Sequence, residues 1–79
     1  MKFTIVSYGI AKDIVGERAV VIETNATNVG ELRSWLENRY PSLTELRSLF
    51  IAVNQNYADD KLLLTENDEI VLIPPVSGG

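Results

Sequence analysis

The chain has 79 residues, 46% of them hydrophobic and 23% charged, and a net charge of −4, which makes it one small domain spanning residues 1–79. It contains no Cys and no His, so a disulfide framework, a thiolate nucleophile, an imidazole base and the usual transition-metal ligands are all excluded. Seven basic residues against eleven acidic ones give no footprint for nucleic acid or an anionic membrane surface, and make a basic partner the better expectation.

No run reaches the roughly 18 apolar residues that would cross a bilayer. The first residues lack the basic start and long apolar stretch of a signal peptide, so a cytoplasmic location is expected.

Residues 2–8 (KFTIVSY) are rich in β-branched and aromatic types, with Phe3 and Ile5 alternating with Thr4 and Val6, and read as a first strand. Gly9 and Gly16 bracket a short turn-like connection. Residues 17–24 (ERAVVIET) give a second strand. A connection of this length suits a hairpin with a long loop, because a crossover needs about a dozen residues or more.

Asn28 followed three residues later by Glu31 is a helix start: an amide oxygen faces the first turn and an acid reaches back. Val29, Leu32, Trp35, Leu36 and Tyr40 then recur on one stripe, which places Trp35 and Tyr40 in the core. Pro41 ends the helix, since the residue before a proline is pushed out of the helical region.

Residues 42–48 suit a short helical turn, residues 49–54 (LFIAVN) a third strand, and residues 54–56 a turn before a brief edge strand that starts at Tyr57. Residues 59–64 fit a helical turn as well as coil. Glu66, Asn67 and Asp68 supply turn chemistry. The last strand, residues 69–73 (EIVLI), is apolar on both faces and belongs in the middle of a sheet. The order implies an α+β fold of the β-grasp pattern, a mixed sheet of four to five strands on one main helix, with both terminal strands together at its centre.

After Ile73 the sequence runs Pro74, Pro75, Val76, Ser77, Gly78 and Gly79. The prolines end the strand and hold the following chain extended, so residues 74–79 are expected to project as a tail. Two glycines pass a channel no wider than the backbone and leave the last carbonyl open to attack. A C-terminal carboxylate, with a reference pKa of about 3.5, is ionised and a poor electrophile. It reacts only after activation, for instance as an acyl-adenylate that a sulfur nucleophile converts to a thiocarboxylate. A chain without thiols must receive both the activation and the sulfur from other proteins.

Pro74-Pro75-Val76-Ser77-Gly78-Gly79 directly after Asp68-Glu69-Ile70-Val71-Leu72-Ile73, with Ile51-Ala52-Val53-Asn54 upstream, closely resembles the small subunit of molybdopterin synthase over essentially the whole chain. Gly-Gly alone is shared with ubiquitin and all ubiquitin-like sulfur carriers. The resemblance implies a ubiquitin-like sulfur carrier of molybdenum-cofactor biosynthesis, a non-catalytic subunit with no bound cofactor and no metal. A ubiquitin-activating-type adenylyltransferase would spend ATP to adenylate Gly79, which is then converted to a thiocarboxylate. The tail would enter the large synthase subunit, which holds the catalytic residues and uses two sulfurs to build the dithiolene of molybdopterin from cyclic pyranopterin monophosphate, in a heterotetramer of two small and two large subunits. Gly79 is then the sulfur-bearing residue, Gly78 gives backbone access, and Pro74, Pro75, Val76 and Ser77 line the partner's channel.

Members of this family commonly carry an aromatic in the first strand, then an Arg-Glu pair and a Gly. Here the stretch reads Tyr8, Lys12-Asp13 and Gly16, which marks Tyr8 and Lys12 as partner contacts, although Lys cannot make the planar, two-pronged contact of Arg. Other recipients of the same tail chemistry stay open: thiamine-pathway or tRNA-thiolating sulfur carriers, or a ubiquitin-like modifier joined to lysines. So does an interaction module with an inert tail.

Asp59-Asp60 and the group Glu66, Asp68 and Glu69 lack the spacing and glycine of a calcium loop and read as turn or surface residues. Nor does a chain this short leave room for a sugar cleft between paired acids. Phe50 and Tyr8 are candidates for an exposed sheet face, where aromatic side chains dominate interface energetics.

Overall fold

In the computed structural model, which describes residues 1–75, the β-branched runs form five strands. In chain order the elements are β1 (Lys2–Ser7), α1 (Gly9–Val15), β2 (Ala19–Glu23), α2 (Val29–Arg39), a 3-10 helix (Pro41–Glu45), β3 (Phe50–Val53), β4 (Asn56–Tyr57) and β5 (Glu69–Ile73). The sheet order is β2-β1-β5-β3-β4. β1 runs antiparallel to β2 and parallel to β5, and β5 runs antiparallel to β3. The terminal strands are thus neighbours at the centre, and the sheet is mixed because the chain crosses over through α2 between its two halves.

One face of the sheet is buried under α2. Phe3, Ile5, Ile22, Ile51, Ile70 and Leu72 from the strands join Val29, Leu32 and Leu36 from the helix in one core. Trp35 and Tyr40 lie only at its margin, half-buried, because they fall on the two edges of the helical stripe whose centre is occupied by Leu32 and Leu36.

The start of α2 is held on every side. Asn28 Oδ1 accepts the Glu31 N–H at 2.8 Å. The Glu31 carboxylate reaches back one residue further than a simple capping box, accepting from the Thr27 N–H at 2.7 Å and the Thr27 hydroxyl at 2.8 Å. The N–H groups of Val29 and Gly30 donate to the carbonyls of Leu62 and Asp60 at 3.0 and 2.9 Å, so donors that a helix start ordinarily leaves open are used. That approach is close: a Cβ on residue 30 would stand 3.1 Å from Asp60 Cβ and 3.2 Å from its carbonyl oxygen, so a side chain there would have to push Asp60 back by a few tenths of an ångström. Arg33 fastens the helix to the entry of β3 through the Leu49 carbonyl, at 2.6 Å.

The connection between β1 and β2 differs from the sequence expectation. Residues 9–15 are a helix, not a turn-like loop, and Gly16 closes it with φ 96°. Ala11 is fully buried, and Ile14 and Val15 pack against the core, so the segment is helical because it covers one end of the sheet. No side chain caps its start, which removes the usual sequence signal.

The turn residues at the other end of the sheet form a network. Asn54 and Gln55, at φ 51° and 74°, make the tight β3–β4 turn. The Asn54 side chain donates to Asp68 Oδ1 at 2.9 Å and accepts the Glu69 N–H at 3.0 Å. Asp68 also accepts the Thr65 N–H at 2.8 Å. These bonds fix the entry to β5. They also hold the Asp68 carboxyl below its ordinary pKa, chiefly through the Thr65 N–H, as the Thr27 N–H does for Glu31.

Both carboxylates therefore stabilise the fold fully at pH values above their unfolded pKa, about 4, and lose that contribution as pH falls through the lower folded value. Acid titration of the unfolding midpoint is expected to show a decline below about pH 5 that is shallower in Asp68→Asn than in the wild type. An unchanged slope in the variant would show that the network does not hold the charge.

Candidate functional site

The face of the sheet away from α2 is uncovered, and its composition changes along the strands. Strand register places its residues in rows. Glu23 and Lys2 form the first row, and Val21, Thr4 and Glu69 the second. Ala19, Val6, Val71, Ala52 and Tyr57 form the third. Ile73 and Phe50 are paired in the last row, and Tyr8 follows Ser7, which pairs with Leu72. Within these paired rows charge is confined to the end where β5 begins, and apolar and aromatic side chains occupy the end where β5 finishes.

This second end carries the exposed aromatics. Tyr8 is 45% and Phe50 54% exposed, and Tyr57 still more so. The Phe50 and Tyr57 rings meet edge to face, with centroids 5.6 Å apart. Between Tyr57, Val71 and Ile73 lies a shallow hollow of about 270 Å³ floored by Ala52. Ala52 is nearly inaccessible although it lies on this outer face and not in the core beneath α2.

Ile73 delivers the chain to Pro74 and Pro75, both half-buried. Pro74 packs over the start of α1: its Cγ would lie 3.5 Å from a Cβ on Gly9, whose φ is 55°. A side chain at residue 9 would be strained by the backbone, although its Cβ would meet the proline at an ordinary contact distance. Tyr8, Gly9 and Pro74 therefore share the rim where the tail begins. Lys12 is exposed on α1, one turn on, its N–H bonded to the Tyr8 carbonyl at 3.2 Å. Of the residues marked by the sequence, the structure brings together Tyr8, Pro74 and Pro75, with Lys12 nearby. Val76, Ser77, Gly78 and Gly79 lie outside the described residues.

Arg18 escaped the sequence reading. Its guanidinium carbon sits 5.2 Å from the Tyr8 ring centroid. The residues are ten apart, and only the pairing of β1 with β2 brings them together.

Four of the acids singled out in the sequence, Asp59, Asp60, Glu66 and Asp68, have structural partners. Asp60 pairs with Arg33 at 3.3 Å, Asp59 accepts the Lys61 N–H at 2.8 Å, and Glu66 accepts the Lys2 N–H at 2.8 Å. Among the described residues no three acids converge as a metal site, and no helix is long and apolar enough to cross a membrane.

Fold and surface together define a ubiquitin-like β-grasp domain in which Pro74 and Pro75 leave the central strand beside an apolar face. The chain belongs to the ThiS family, whose sequence profile matches residues 6–79. The molybdopterin synthase sulfur carrier subunit of Caenorhabditis briggsae is 38% identical over 76 residues, covering 91% of this chain and 90% of that protein. SAMP1 of Haloferax volcanii shares the fold with a TM-score of 0.84 at 21% identity, over the full length of both chains. A chain from the complex of subunits 1 and 2 of the Helicobacter pylori molybdopterin-converting factor superposes with a TM-score of 0.70 at 29% identity, over the full length of both.

Proposed function

We propose that this chain is the sulfur carrier subunit of a cytoplasmic molybdopterin synthase. The observation that supports this best is the path of β5: a strand held between β1 and β3 delivers Pro74 and Pro75 to the rim of the apolar, aromatic end of the open face. A rigid root with an adjoining sticky surface suits a segment that must enter another protein while the body docks outside.

In the proposed reaction a ubiquitin-activating-type adenylyltransferase binds ATP, and the Gly79 carboxylate attacks the α-phosphate and releases pyrophosphate. A sulfur nucleophile supplied by a donor protein then displaces AMP, leaving a thiocarboxylate on Gly79. The large subunit of the synthase receives residues 74–79 and takes the sulfur for the dithiolene of molybdopterin, with two small and two large subunits forming the heterotetramer. This chain supplies the carried group and the docking surface, and the catalytic residues belong to the large subunit.

Intact mass spectrometry tests the reading. Incubated with ATP, the activating enzyme and a sulfur source, the chain is expected to gain the mass difference of one sulfur replacing one oxygen, and to lose it again when the large subunit and the cyclic pyranopterin precursor are added. No mass change in a mixture that sulfurates a known carrier would overturn the proposal. A sulfurated chain that the large subunit fails to discharge would shift the assignment to another sulfur recipient.

A further inference from the structure

We propose that Arg18, stacked on Tyr8 at the root of the tail, is a docking contact for a carboxylate on the large synthase subunit. The inference rests on the proposed function and adds a named contact to it.

Arg18 stands just before β2, where its carbonyl accepts the Ser7 N–H at 2.8 Å. Ser7 pairs with Leu72, so this backbone bond fixes Arg18 across β1 from the strand that delivers the tail. Its guanidinium lies over the Tyr8 ring. A cation over an aromatic face is oriented without using its N–H groups, which stay available to an acceptor. Arg18 makes no ion pair and no side-chain hydrogen bond among the described residues. Arg33, by contrast, spends its donors on Asp60 and the Leu49 carbonyl.

Charge complementarity selects the occupant. The net charge of −4 would suggest a basic partner, yet Glu23, Glu66, Asp68 and Glu69 gather at the far end of the sheet, beside Lys2. The tail end presents apolar rows bordered by Arg18, with Lys12 on α1. An incoming surface there meets aromatic side chains and an uncommitted guanidinium. The group that best matches a guanidinium is a carboxylate, which takes two parallel N–H bonds. Arg and Tyr are also the residue types that most often dominate binding energy when water is excluded around them.

The stacked pair Arg39–Tyr40, with the guanidinium carbon 5.5 Å from the ring centroid, supplies a control. It joins adjacent residues at the end of α2, in the layer behind the sheet. Arg39→Ala removes the same charge and the same kind of stack, away from the open face.

The test measures affinity of the full chain for the purified large subunit by calorimetry at several salt concentrations, with Arg18→Ala, Arg18→Lys and Arg39→Ala. Arg18→Ala is expected to bind about tenfold more weakly and with a flatter salt dependence. Arg18→Lys should fall between it and the wild type, and Arg39→Ala should match the wild type. The Arg18 side chain is exposed, so the variants should keep the wild-type melting temperature. Equal affinity of Arg18→Ala and wild type, or equal weakening by Arg18→Ala and Arg39→Ala, would overturn the contact while leaving the sulfur-carrier reading in place. So would slower adenylation with unchanged large-subunit affinity, which would assign Arg18 to a phosphate of the activating step. Failure of the wild-type chain to bind would overturn both.

Discussion

A chain shortened by Gly79 is expected to gain no sulfur in the activation mixture while keeping the wild-type circular dichroism and melting temperature. The two halves of this result have separate physical reasons. Among the described residues every member of the core lies between residues 3 and 72, and a glycine has no side chain to bury, so the deletion is expected to cost the fold little. In the proposed reaction the chemistry fails because the carboxylate would be offered one residue nearer the body, on Gly78; a misplacement of about 1 Å already costs catalysis on the order of a hundredfold, and one extended residue is about 3.3 Å. Adding one glycine should have a similar effect in the opposite direction. Sulfur incorporation by the shortened chain at the wild-type rate would show that the last residue is not the working group.

Replacing Leu72 by alanine is expected to cost about 2–5 kcal/mol, the range for emptying a fully buried leucine site. Leu72 is 0% exposed and stands on β5 opposite Ser7 on one side and Ile51 on the other, so there is no flexible neighbour to collapse into the space. For a domain of 79 residues, total stability is about 4–12 kcal/mol at 0.05–0.15 kcal/mol per residue. The single change therefore removes a large fraction of it. Urea unfolding should show a lower midpoint at unchanged slope. Val71→Ala, on the outer face of the same strand, should cost far less, and equal losses at the two positions would contradict the assignment of faces.

Much of this architecture could be read from residue patterns because the strongest signals coincide with the deepest burial. The run Glu69–Ile73 is apolar on both faces and takes the central place; Asn28 and Glu31 begin α2 as their chemistry dictates. Tyr8 and Phe50 were only candidates for an exposed face by residue type, and it took the strand register to decide which face they occupy. Helix α1 was not legible. It has seven residues, no side-chain cap, and a single fully buried residue, Ala11, so its stability comes from packing on the sheet and leaves little local periodicity. Trp35 and Tyr40 were placed too deep because a helical wheel shows direction but not where the opposing layer ends. Arg18 was invisible for a different reason: its role depends on a partner ring ten residues away, and strand register decides which side chains meet.

The parallel pairing of the first and last strands has a topographic outcome. Chains that run side by side in the same sense start together and finish together, so Met1 lies at the pole opposite to the departure of residues 74–75. There its amino group donates to the Thr24 carbonyl at 2.9 Å. Cargo fused ahead of Met1 therefore sits at the pole away from Pro74 and Pro75 and leaves the aromatic end of the open face clear.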